Sequence, residues 1–315
     1  MLSTMEALIN YAFFNQSFFN LLKKIMQNSK QDFFATVAEK SDGASLRGDY
    51  SDITEDYVVQ QNWAAYSADE HALWRKLYRR QEELLPGRAC DEFIDSLNAL
   101  DAADGIPDFK STSEALFEAT GWRIVAVPGL IPELAFFTHL ANRRFPVTVW
   151  LRKPEEFDYI VEPDVFHDYF GHVPLLFNPI FANHIQEYGK GGLKAMQLGG
   201  LDQLARLYWY TIEFGLIHSP DGLRVYGAGI LSSGGEIKHC LEPSASRHIT
   251  LDVERCMRTL YKIDSYQETY FVIRDFEQLF EDTTPDFTPI YQRIKQLDAL
   301  PANSLLNGET ELIKR

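Results

Sequence analysis

The chain has 315 residues, enough for one large domain or two small ones. Its 45% hydrophobic and 24% charged residues are ordinary for a globular protein, while 30 Lys and Arg against 45 Asp and Glu leave a net charge of -15. That charge repels phosphate backbones and anionic lipid surfaces, so neither nucleic acid nor a membrane is an expected partner.

Residues 1–56 read as an N-terminal extension and linker, partly helical or disordered, ahead of a compact body at 57–315. The first 26 residues are rich in Phe and Leu but interrupted by Asn10, Asn15, Gln16 and Asn20, with no basic stretch before the apolar part. They suit an amphipathic helix better than a secretion signal, and Met5 and Met26 are alternative starts. A polar stretch at 27–56 follows. Asp69 is expected to cap a helix at 70–85, ended by Pro86-Gly87. Further helices are expected at 90–103, 113–119, 133–144, 163–170, 179–188, 201–214 and 287–297, with strands at 122–127 and 147–151. The sum is an α+β fold, predominantly helical, with one main domain and a small sheet. Cys90, Cys240 and Cys256 are odd in number and show no metal-knuckle spacing, which points to a reducing, cytoplasmic setting. No run of about 18 apolar residues is present to span a bilayer.

The chemistry concentrates in the stretch from Glu162 to Pro174, EPDVFHDYFGHVP. Pro163 suits a first helical position, and Gly171 suits the left-handed residue just past a helix end. On an unbroken α-helix, His167 and His172 would point about 140° apart, given 3.6 residues per turn. A break at Gly171 is therefore the expected device that folds His172 back beside His167. The zinc pair of HExxH differs, because it shares one face of a continuous helix. A carboxylate is the natural third ligand. Glu213 lies in LYWYTIEFGLI (207–217), apolar on nearly every side, where a charge needs a cation or a hydrogen-bonding partner. Two imidazoles and one carboxylate suit a non-heme Fe(II) oxygenase with open coordination positions. Spacing alone leaves two plainer alternatives: a satisfied histidine pair at a helix end, and Glu213 as the buried partner of Arg206.

The run EPDVFHDYFGHVPLL resembles the iron-binding signature of the pterin-dependent aromatic amino-acid hydroxylases. LYWYTIEFGLI and YGAGILSSGGE resemble that family's next two segments, in the same order. LPGRACDEF and GKGGLKA are similar to its bacterial phenylalanine hydroxylase branch, and the resemblance runs from about 69 to 297. It implies a mostly helical catalytic domain that hydroxylates an aromatic amino-acid ring with Fe(II), O2 and a tetrahydropterin (tetrahydrobiopterin or a bacterial analogue). His167, His172 and Glu213 fall on the iron ligands, and no catalytic residue beyond them is implied. Gly129, Leu130, Phe136, Asp168, Ala205 and Tyr208 fall on the pterin side, Asp168 standing where a Glu is common. Arg152, Pro163, Trp209, Phe214, Gly229, Ser232 and Glu236 fall around the amino-acid substrate, with Arg152 matching the arginine that grips its carboxylate.

Ile160-Val161 replaces a common Thr-Pro, which removes a hydroxyl contact. Trp209, and an apolar Val272 where tyrosine hydroxylases carry Asp, favour L-phenylalanine, hydroxylated to L-tyrosine by a phenylalanine 4-monooxygenase. The alternatives are a tyrosine or tryptophan hydroxylase, a zinc hydrolase on the same triad with Asp168 or Glu236 as base, or a binding scaffold without turnover. Monomer is the default assembly, with a dimer as the alternative.

Overall fold

The structure, a computed structural model, describes residues 47–160, 162–242, 246–263, 265–309 and 311–312. The expected N-terminal helix lies outside these residues.

Helix α1 (Ala68–Leu84) begins at Ser67 rather than at Asp69. The Ser67 hydroxyl accepts from the Glu70 N–H, and the Glu70 carboxylate reaches back to the Ser67 N–H. This reciprocal cap satisfies two end donors and leaves Asp69 in the first turn, beside the positive helix end. Leu73, Trp74, Leu77, Tyr78 and Gln81 form its buried face. Helix α2 (Asp91–Ala99) is shorter than expected, and α3 (Phe109–Thr120) starts earlier, because the Asp108 carboxylate caps it through the Lys110 N–H. Strand β1 (Arg123–Val127), helix α4 (Glu133–Ala141) and strand β2 (Arg144–Thr148) follow, with β1 and β2 paired in parallel. The expected helix at 133–144 ends early, at a turn through Arg143 with φ +54°, so β2 begins three residues before its expected place.

Helices α5 (Pro179–Leu198) and α6 (Leu201–Tyr208) come next, with α4 packed along α5. Four strands then build a second sheet in the order β4-β3-β6-β5. Strand β3 (Leu216–Ser219) pairs antiparallel with β4 (Gly222–Val225), while β5 (Arg247–Thr250) and β3 flank β6 (Thr269–Ile273) in parallel. None of the four was expected. They are short, and central β6 is buried at every position, so its apolar run carries no two-residue alternation. Helices α7 (Ala228–Leu231), α8 (Glu236–His239), α9 (Val253–Arg258), α10 (Phe276–Thr283) and α11 (Thr288–Ile294) complete the body. One continuous apolar core joins the helices to both sheets, as the predominantly helical α+β reading expects.

The described part of the expected linker is docked on this body. Arg47 pairs with Glu156 at 2.7 Å and lies over the Trp150 ring, and the Tyr50 hydroxyl donates to the Leu130 carbonyl at 2.8 Å. The contacts of the body therefore begin before residue 57. No helix among the described residues is long and apolar enough to cross a membrane.

Candidate active site

Two π-helical turns place the three expected metal ligands. The first, Phe166–His172, carries both histidines, so the helix neither covers 163–170 nor breaks at Gly171 as expected. In a π-helix the hydrogen bonds run between residues five apart, which stacks His167 and His172 on one face without a break. Gly171 serves a different purpose: a Cβ there would lie 2.8 Å from the Ala228 carbonyl oxygen of α7. The second turn, Trp209–Glu213, continues directly from α6, and the Phe214 N–H donates to the Trp209 carbonyl at 2.8 Å. It advances Glu213 toward the histidines. Gly227 lets α7 meet this turn, since a Cβ on it would lie 2.4 Å from the Glu213 carbonyl.

Ligand atoms of His167, His172 and Glu213 lie within 4.8 Å of one another. The His172 Nε2 is 3.1 Å from Glu213 Oε1, and the His167 Nε2 is 3.4 Å from Glu213 Oε2. Donor atoms held at right angles on one ion with bonds of about 2.1 Å would stand about 3 Å apart, so the set fits a cation. Arg206, the alternative partner of Glu213, instead donates to the Met257 carbonyl. Burial opposes charge on Glu213, but His172 and His167 outweigh it and hold the carboxyl well below its usual range. Burial likewise opposes protonation of His167, yet its hydrogen bonds with Asp168 and Glu213 lift it to about 10. A cation entering the site displaces that proton.

Two carboxylates behind the triad fix its geometry. Asp168 Oδ1 holds the His167 Nδ1 at 3.1 Å, while its Oδ2 accepts from the Thr148 N–H at the end of β2. This arrangement sets the imidazole tautomer that frees Nε2 for a metal. Asp164 is fully buried and accepts from the His167 backbone N–H at 2.9 Å. The same carboxylate takes the Arg152 Nε at 2.8 Å and a terminal nitrogen at 2.9 Å, a bidentate clamp. Burial raises the Asp164 pKa, but Arg152 and the backbone donors outweigh it and keep the group ionised. One buried carboxylate thus ties Arg152 to His167.

His167 and Glu213 line a cavity of about 890 Å³. Two aromatic clusters form much of its wall. Phe136 meets Tyr208 edge-on at 5.9 Å, and Tyr208 meets Tyr188 at 5.2 Å. Trp209 is stacked on Tyr261 at 4.3 Å and tilted on Phe214 at 4.6 Å. Arg152, Ile160, Pro163, Glu236 and Gln267 add a polar and aliphatic wall. Burial pushes the Glu236 carboxyl up, partly offset by the Tyr270 hydroxyl and the Gln267 N–H.

Residues 39–297 match the family described as biopterin-dependent aromatic amino acid hydroxylase. The chain belongs to that family. It is 54% identical over 276 residues to the phenylalanine-4-hydroxylase of Ralstonia nicotianae, covering 87% of this chain and 86% of the relative. It is equally identical over 288 residues to the Chromobacterium violaceum phenylalanine-4-hydroxylase, covering 89% and 96%. A crystal structure of that C. violaceum enzyme with iron and phenylalanine bound superimposes with a TM-score of 0.78 over 82% of this chain and 94% of its own. Its cobalt-bound form gives 0.80 over 82% and 93%.

Most hydroxylase site residues expected from sequence reach the cavity: Phe136, Arg152, Pro163, Ala205, Tyr208, Trp209, Phe214, Gly229, Ser232 and Glu236 all line it. Gly129, Leu130 and Asp168 do not. Gly129 and half-exposed Leu130 sit in the loop that Tyr50 holds, and Asp168 has both oxygens turned to His167 and β2. Ile160 lines the cavity without a hydroxyl, and Val161 lies outside the described residues. Val272 is buried within β6, paired with Leu216 and Thr250, and does not line the cavity. Asp164, Tyr261 and Gln267 were missed. Asp164 stands three residues before His167, a helix-cap spacing readable from sequence. Tyr261 and Gln267 lie in a loop with no local signal.

Proposed function

We propose that this cavity is where L-phenylalanine is hydroxylated at the para position to L-tyrosine, with Fe(II), O2 and a tetrahydropterin. The observation that carries the reading is the convergence of His167, His172 and Glu213 on two π-turns at the wall of an aromatic cavity. His167 Nε2, His172 Nε2 and the Glu213 carboxylate hold the iron, leaving positions open on the cavity side. Bound iron and pterin supply the activation of O2.

The protein's own part is binding, orientation and exclusion of water. Arg152 is held from below by Asp164, and its remaining guanidinium edge grips the substrate carboxylate. Glu236 offers an uncommitted carboxylate oxygen for the ammonium, since its Oε1 already accepts from Gln267 and Tyr270. Trp209, Phe214 and Tyr261 receive the substrate ring, and Phe136 with Tyr208 receives the pterin ring. Tyr208 stays protonated because burial, with Glu213 nearby, pushes its hydroxyl far up. No side chain is assigned as general acid. Of the two bases a zinc hydrolase could use, Asp168 has both oxygens engaged, while Glu236 keeps one free, so the zinc-loaded control below tests that alternative.

The test is anaerobic loading with Fe(II), then L-phenylalanine, tetrahydrobiopterin and air, with tyrosine read by chromatography and a zinc-loaded control. Tyrosine that needs iron and pterin is the expected result. Iron-loaded protein that oxidises neither pterin nor phenylalanine would refute the reading.

A further inference from the structure

Gln267 is 4% exposed, and each of its polar groups is hydrogen-bonded. Its backbone N–H donates to Glu236 Oε1 at 3.0 Å, and its backbone carbonyl faces the His239 Nε2 at 3.2 Å. Its side-chain oxygen accepts from the Trp209 indole N–H at 3.0 Å. Its side-chain nitrogen donates to the Lys262 and Ser265 carbonyls at 2.9 and 3.3 Å. Indole N–H is only a donor and a carbonyl only an acceptor, so chemistry alone fixes which way round this amide lies.

These bonds join parts of the cavity that the chain keeps far apart. Trp209 comes from the π-turn that also carries Glu213, and Glu236 from α8. The Lys262 and Ser265 carbonyls shape the loop that carries Tyr261, stacked on the Trp209 ring. The same loop presents the Ile263 carbonyl to the Tyr159 hydroxyl across the cavity mouth, at 3.0 Å. Gln267 thus ties these walls together, by its side chain to Trp209 and the loop and by its backbone N–H to Glu236.

We infer that Gln267 is a substrate-positioning residue: through Trp209, Glu236 and the Tyr261–Ile263 side of the mouth, it sets the slot that receives the aromatic amino acid. This rests on the reading of the cavity as the phenylalanine site. Gln267 acts on the amino acid and not on the iron ligands or the Phe136–Tyr208 side, so its loss separates substrate binding from metal and pterin binding.

Gln267→Met keeps the length and removes every polar side-chain atom. In the Fe(II)-loaded enzyme its KM for L-phenylalanine is expected to rise about tenfold, the size of one lost buried hydrogen-bond set. The KM for tetrahydrobiopterin and the iron content stay at wild-type values. Anaerobic calorimetric titration of the iron-loaded protein with L-phenylalanine gives the same rise in Kd without turnover. In a Trp209→Phe background, which lacks the indole donor, the additional effect of Gln267→Met shrinks, because the two act through one bond. Should Gln267→Met not fold, Gln267→Asn carries the test: it stays an uncharged amide but is one methylene shorter, so it cannot hold Trp209 and the two loop carbonyls together, and it gives a smaller rise. Folded, iron-replete Gln267→Met with unchanged KM and Kd for L-phenylalanine overturns the inference, as does an equal rise in both KM values. Wild-type enzyme that makes no tyrosine overturns the underlying reading, and the inference with it.

Discussion

The His167–His172–Glu213 wall and the rim around Tyr159, Ile263 and Tyr266 answer opposite demands. The triad wall stands on two helical turns wedged against α7, where Gly171 and Gly227 let backbone meet backbone. The rim is irregular chain whose Tyr159, Ile263 and Tyr266 side chains are 54%, 65% and 51% exposed, joined across the mouth by one hydrogen bond. Metal donors have to coincide within tenths of an ångström, so they sit where packing and buried hydrogen bonds over-determine every torsion. The rim is exposed, irregular chain with few buried contacts, which places it at the low-stability end of the fold. The difference teaches where substitutions act: on chemistry at the wall, on access at the rim.

The sharpest break in the comparison comes at the wall. Glu213→Ala or His167→Ala should leave the fold standing and reduce iron retention and turnover by about 100-fold or more, beyond the usual cost of an outer-shell partner. Metal analysis after gel filtration, with circular dichroism as the fold control, checks this. A variant that keeps full iron and activity means the ligands are misassigned.

Asp164→Ala should cost about 3–5 kcal/mol, because it leaves Arg152 buried without its counter-charge and His167 without its backbone acceptor. Urea unfolding gives the stability, and the loss should be accompanied by a higher KM for L-phenylalanine. A loss below about 1 kcal/mol would show that the clamp is not structural. Asp168→Ala should lower iron affinity or activity about 10–100-fold and cost about 1–3 kcal/mol of stability, since it frees the His167 imidazole to turn and leaves the Thr148 N–H without its acceptor. An iron titration that matches wild type would remove Asp168 from the wall.

Acid probes the core behind both regions. His184 on α5 is buried, its Nδ1 hydrogen-bonded to the Thr283 hydroxyl and its Nε2 without a partner. Burial pushes its pKa down to about 3. Between about pH 6.5 and 3 the unfolded chain takes up a proton there while the native state does not, so stability falls as the pH falls. Melting temperature should therefore drop below about pH 6.5, with a shallower slope for His184→Gln; parallel slopes would assign the acid loss elsewhere. The smallest effect belongs to the rim. Tyr159→Phe removes one exposed hydrogen bond, worth about 1 kcal/mol or less, and should change substrate entry and release rates without altering iron content. A change in bound iron would mean that rim and wall are not separable.

Several features of this protein were decided by the sequence alone. The order of Pro163, His167, His172 and Glu213, the apolar surroundings of Glu213 and the glycine-rich run at 227–235 specify ligand types and a buried site. Half of the residues that line the cavity, from Phe136 to Glu236, could be named from matching motifs, because those motifs supply much of its wall. Tertiary structure decided the rest. A spacing of five looks wrong for one helix face until packing against α7 selects a π-turn, and no periodicity of side chains encodes that choice. Asp168 turns away from the cavity because β2 offers it an N–H, and Val272 is taken up by its neighbours in a sheet whose strands are too short and too buried to alternate. Gln267 matters only because distant segments converge on its amide, and convergence is a property of the folded chain.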